Sequence, residues 1–298
     1  METSYRLQRT RPKALTIFPL LFTLLMSGCA GSLTNRFLGP ITGNLQQQTD
    51  IDLVCEGAPS FLLMLDSMLV SKPHDNALLL SATKAYSGYS TALAECGASD
   101  ERIEKVTEKA HRYGIALVQN YLPLEDNGSF SPSGGEEAFN NRLNQLNKDK
   151  VEGVFWGNFA WLTWVQSQKG SPASLVDMAV IEQIMTRLLE LDEGYQGGSI
   201  HLFFGSLHSL KPAMFGGHPE VSKEHFERAL SLSKHRFLMV QTTYAATYAR
   251  TTMDKELHDG LLKEVLAFPL KDAPEFALSN QIAKSRAKKL LEENYFGD

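Results

Sequence analysis

The sequence predicts an all-α protein whose helical hairpins stack as a tetratricopeptide (TPR)-like solenoid. Three observations predict it. Apolar residues recur at helical spacing from about Asp50 onward, and no period-two stretch of any length appears. Three segments also align without gaps: "IEKVTEKAHRY" from Ile103, "IEQIMTRLLEL" from Ile181 and "SKEHFERALSL" from Ser222. Their offsets are 78 (103 to 181) and 41 (181 to 222), roughly two periods and one period of a two-helix repeat. In the alignment Thr107, Met185 and Phe226 fall together, as do Ala110, Leu188 and Ala229, and the cations Lys109, Arg187 and Arg228.

The chain divides into residues 1–28, 29–49 and 50–298. Residues 1–28 read as a lipoprotein signal peptide. Arg6, Arg9, Arg11 and Lys13 form a basic start, and "ALTIFPLLFTLL" from Ala14 to Leu25 is apolar but short for a bilayer span. Ser27 and Gly28 then precede Cys29, which resembles a bacterial lipobox with Met26 where the pattern prefers Leu. Cys29 is the expected acylation site, and Ala30 after it favours the outer membrane by the sorting pattern. Acyl chains there give a stable anchor. Residues 29–49, rich in Gly, Thr, Asn and Gln, read as a lipid-proximal tether.

Residues 50–298 hold the TPR-like domain. "DIDLVCEGAPSFLLMLDSMLVSKP" and "HDNALLLSATKAYSGYSTALAEC" predict two antiparallel helices, with Asp75 or Asn76 capping the second. That hairpin brings Cys55 and Cys96 to one end, so a disulfide is open to them, as are two buried thiols. Glu125 to Gly135 is expected to be a surface loop, and its Asn127-Gly128-Ser129 sequon carries no weight in a bacterial lipoprotein. "VFWGNFAWLTWVQS" and "YQGGSIHLFFGSLHSL" fit the first helices of two repeats, and "GLLKEVLAFP" and "NQIAKSRAKKLLEE" supply closing helices.

Charge excludes one class of function. Four of the 29 basic residues and one of the 34 acidic residues lie in the signal, which leaves 25 against 33 and a formal charge of −8. An acidic body without Lys and Arg clusters is a poor nucleic-acid binder.

"HLFFGSLHSLKPAMFGGHPE", from His201, holds three histidines. His201 and His208 are seven apart and share a helix face, but metal pairs on helices sit three or four apart and no HExxH occurs. No metal and no cofactor are expected. Gly216-Gly217 reads as an elbow before a helix opened by Pro219. All three tryptophans, Trp156, Trp161 and Trp164, fall in one short block. Core packing accounts for most such aromatics. First helices of a solenoid also line its concave side, which makes Trp156, Trp161, Trp164, His201, Phe204 and His208 candidate ligand contacts for an amphipathic molecule. No nucleophile-base signature accompanies them, so no enzymatic activity is expected.

"CEGAPSFLLMLDSMLVSKPHDNALLLSATKAYSGYSTA", "FWGNFAWLTW", "MTRLLELDEGYQGGSIHLFFGSLHS", "GGHPEVSKEHFERALSLS" and "LSNQIAKSRAKKLLEE" together resemble the TatT family, the TPR-like lipoprotein T-components of TRAP-associated transporters. The resemblance runs from about Ile51 to the end. It implies a periplasmic, helical homotrimer that binds or passes a hydrophobic small molecule and docks a periplasmic substrate-binding protein of a TRAP-type system. It carries no catalytic residue, and it places the lipid on Cys29. The competing expectation is a generic TPR scaffold lipoprotein for envelope assembly.

Overall fold

The computed structural model describes residues 43–126, 130–168, 171–210 and 217–297. The signal segment, Cys29, the Asn127–Ser129 sequon and Gly216 of the elbow lie outside the described residues.

Two antiparallel helices open the fold, α1 (Ile51–Ser71) and α2 (Asn76–Leu93). Asp50 caps α1 by accepting from Leu53 N, and Asp75 caps α2 by accepting from Ala77 N and Leu78 N. Val54, Ala58, Leu62, Leu65 and Leu69, spaced three and four apart, form the buried stripe of α1. Pro59 lies inside that helix and has no N–H for the Cys55 carbonyl. Tyr89 Oη on α2 donates to that carbonyl instead, at 3.4 Å. Cys55 and Cys96 form a disulfide across the open end of the hairpin, with Cα atoms 5.9 Å apart.

The outer face of α1 is largely apolar. It exposes Leu53, Leu63, Met64 and Val70, the last at 85%. By length and mean hydropathy α1 would suffice to cross a membrane. In this fold its other face holds the first core layer together. Asp66 there accepts from Tyr86 Oη at 2.9 Å and Tyr113 Oη at 2.7 Å, and pairs with Lys109.

Helix α3 (Asp100–Gln119) packs on α2, capped by Ser99. The chain then departs from the loop expected between Glu125 and Gly135. Strands β1 (Leu124–Asp126) and β2 (Phe130–Pro132) pair antiparallel, and Gly135 begins helix α4 (Gly135–Gln145). The hairpin is pinned from outside: Phe130 N donates to Asp177 Oδ1 at 2.8 Å, and the Phe130 ring sits on the core.

Helices α5 (Val151–Ser167) and α6 (Pro172–Leu191) form the next pair, and α7 (Tyr195–Leu210) and α8 (Pro219–Ser233) the one after. Helix α5 crosses α3 closely. A Cβ on Gly157 would lie 2.6 Å from Val118 Cγ2 and 2.7 Å from Gly114 O. The start of α7 is broken by left-handed backbone at Gln196, Gly197 and Gly198, and only a glycine fits at 197, where a Cβ would meet the Phe276 ring at 2.9 Å. Pro219 occupies the first turn of α8.

The repeat positions behave alike in space. Thr107, Met185 and Phe226 are buried, and so are Ala110, Leu188 and Ala229. The aligned cations each tie a second helix to a neighbour. Lys109 reaches Asp66, Arg187 donates to the Leu143 and Leu146 carbonyls, and Arg228 holds Glu193.

Helix α9 (Met239–Tyr244) runs directly into a π-helical turn at Ala245–Ala249. Helices α10 (Lys255–Ala267) and α11 (Ala277–Glu292) follow as a pair. Leu278 and Ile282 of α11 belong to the same buried cluster as the stripes of α1, α2 and α3. The last helix thus returns to the first hairpin.

Candidate functional site

The sequence set splits in two. His201 and Phe204 on α7 are buried, at 8% and 7%, whereas His208 is half-buried. On α5, Trp161 is fully buried, while Trp156 and Trp164 are half-buried. Among the described residues, no ring contact joins a tryptophan to His201, Phe204 or His208.

The α7 half is an imidazole cluster built with α8. Phe204 stacks on His225 at 5.2 Å, and His208 lies parallel to the same ring at 6.0 Å. His218, just before α8, lies 6.1 Å from His208. His201 Nδ1 is 2.9 Å from His225 Nδ1, and His201 Nε2 is 3.3 Å from Glu193 Oε2. One assignment of protons satisfies both contacts: His201 Nε2–H donates to Glu193, and His225 Nδ1–H donates to His201. Both rings are then neutral. Burial lowers the His225 pKa to about 4, and the repulsion that protonated His201 and His208 would exert adds to it. Burial also lowers His201, against the opposing pull of Glu193. Arg228 and His201 hold the exposed Glu193 carboxyl down at about 2. His225 was not singled out by the sequence reading, because it lies on a second helix and 24 residues from His201.

The α5 half is two separate aromatic groups. Trp164 stacks on His111 of α3 at 4.2 Å, and Phe130 from the β-hairpin meets both His111 and Trp161 edge-on. Burial lowers the His111 pKa to about 4 and raises that of Asp177, which accepts from Phe130 N. Trp156 is on another side of α5, against Phe155 and Phe159, with Lys84 Nζ 5.4 Å from its ring centre. Tyr195 closes this group through Phe155, at 4.9 Å. Three tryptophans close in sequence therefore serve different contacts. The i, i+3 relation of Trp161 and Trp164 holds in space, since both border the Phe130–His111 pair.

Among the described residues, no group of three or more His, Cys, Asp or Glu is disposed to hold a metal ion. The arrangement offers apolar and aromatic surface, neutral imidazoles and a few ion pairs.

Paired helices in TPR-like order, with aromatic and imidazole groups between them, define a TPR-like helical protein. The family model for the TRAP transporter T-component (TAtT) matches residues 47–296, and the chain belongs to that family. It is a family of transporter accessory components, not of enzymes, and its members are periplasmic. A search of curated proteins returned no match.

Proposed function

We propose that this protein is a lipid-anchored periplasmic accessory of a TRAP-type transporter. It binds a hydrophobic or amphipathic small molecule and docks the substrate-binding protein of that system. The observation that carries the reading is the family match over residues 47–296. The half-buried Trp164, Trp156 and His208 supply the amphipathic surface a ligand would meet. The anchor is Cys29, with acyl chains in the outer membrane. A homotrimer is part of the same reading, and the exposed apolar face of α1 supplies surface for association.

Co-purification from envelopes tests this, with mass spectrometry of partner proteins and of extracted small molecules. Recovery of a solute-binding protein with an amphipathic ligand is the expected result. Recovery of cell-wall or outer-membrane assembly proteins alone would favour a generic envelope scaffold and overturn the transport reading.

A further inference from the structure

A groove of about 360 Å³ lies between the α9 segment and α11, away from the aromatic groups described above. Its volume falls within the range of small-molecule sites. One wall is Thr242, Thr243 and Ala246; the other carries Arg286, Lys289 and Leu290, with Glu293 at the edge.

The charges on the second wall are unequally committed. Lys289 Nζ donates to Glu95 Oε2 at 2.8 Å, and Glu293 accepts from Arg250 Nη2 at 2.7 Å. Arg286 has only a loose partner, Glu95 Oε1 at 4.0 Å from its Nε. Among the described residues, no hydrogen bond reaches its terminal nitrogens. Burial draws the Arg286 guanidinium below its usual pKa, opposed only by Glu95, yet at neutral pH it stays charged. A guanidinium with both terminal nitrogens open is a fork for a planar anion.

The opposite wall supports a ligand with an apolar part. Ala246 lies in the π-helical turn Ala245–Ala249, a rare winding that recurs at functional sites. Its methyl group and the Leu290 side chain give the groove apolar surface on both walls.

We propose that this groove binds a small organic carboxylate, with the carboxylate on Arg286 and the hydrocarbon part on Ala246 and Leu290. The site is separate from the aromatic surfaces and does not depend on the transport reading. A chain that binds such an anion here and captures no transporter partner would keep this site and lose that reading.

The test is calorimetric titration of hexanoate into the purified full chain, with hexanol, hexylammonium and inorganic phosphate as comparison probes. Hexanoate should bind, and the other three should bind at least tenfold more weakly. Arg286→Gln should weaken hexanoate at least tenfold, and Arg286→Lys should recover part of the loss. Ala246→Phe, which fills the groove and leaves the Glu95 contacts intact, should abolish binding. If Arg286→Gln fails to fold, Ala246→Phe decides alone. Absence of hexanoate binding, equal binding of hexanol or phosphate, or full binding by a folded Ala246→Phe variant would each overturn the proposal.

Discussion

Glu95 and Lys289 lie 194 residues apart in the chain, and Lys289 Nζ donates to Glu95 Oε2 at 2.8 Å. Ser285 donates to the same oxygen, and the Glu95 side chain is only 6% exposed. Burial pushes the Glu95 pKa up, but the hydrogen bonds from Lys289 and Ser285 and the charges of Lys289 and Arg286 outweigh it and hold it low. A carboxyl lowered on folding stabilises the fold above its ordinary value of 4.5 and loses that effect as pH falls through the lower folded value. Glu95→Gln is expected to cost about 1–3 kcal/mol at pH 7. The difference from the parent should vanish in acid, where urea midpoints of the two proteins should converge. Equal midpoints at pH 7 would refute it.

One buried histidine, His111, and one half-buried histidine, His225, predict acid sensitivity at a milder pH. His111 and His225 both titrate near 4 when folded, against an ordinary 6.5. The unfolded chain therefore takes up protons first, so stability begins to fall below about pH 6.5 and the loss is complete near pH 4. His111→Gln with His225→Gln should flatten the urea-midpoint profile across that window. An unchanged slope would show that neither ring is kept neutral by the fold.

The disulfide closes a loop of 41 residues. Chain-entropy arguments give such a cross-link about 3–4 kcal/mol. Replacing both Cys55 and Cys96 by serine should lower stability by about that much while helical content persists. Denatured but unreduced protein should show no alkylatable thiol apart from Cys29. Two reactive thiols there would mean the pair is reduced.

How far the sequence reached can be judged from particular residues. The helices Ile51–Ser71 and Asn76–Leu93 and the Asp75 cap were legible because helical spacing and caps are local signals. The end-to-end meeting of Cys55 and Cys96 followed from a short turn between two helices. Strands β1 and β2 were not legible, since three residues carry no periodicity and Phe130 is held by Asp177, 47 residues on. The candidate ligand contacts were only half legible. Spacing puts residues on a common face, but a helix in a stack has neighbours on several faces. Spacing thus could not tell that Trp161 faces inward while Trp164 reaches the margin. Arg286 gave no signal at all, because Thr242 and Ala246 opposite it are about forty residues away.

That difference between tryptophans is testable. Trp161→Ala removes a fully buried indole and should cost about 3–5 kcal/mol. Trp164→Ala should cost clearly less, because part of its ring already meets solvent. If a ligand recovered from envelopes contacts this surface, Trp164→Ala should weaken its binding with helical content unchanged. Similar destabilisation by both variants would place Trp164 in the core.

Cys29→Ser is expected to release the protein from membranes or leave the precursor unprocessed. Metabolic palmitate labelling reads this directly. Labelling equal to that of the parent would exclude Cys29 as the acylated residue.

The return of α11 to the first hairpin fixes how this chain can change over evolutionary time. An open array of repeats tolerates duplication or deletion of a unit, because each unit touches only its neighbours. Here Leu278 and Ile282 share a cluster with Leu65 and Leu78, and Ser285 and Lys289 share Glu95. An extra helical pair anywhere between α3 and α9 would carry α11 past that landing place and strand a buried carboxylate. Viable length variation is therefore confined to the loops and the termini, and the number of helical pairs is locked.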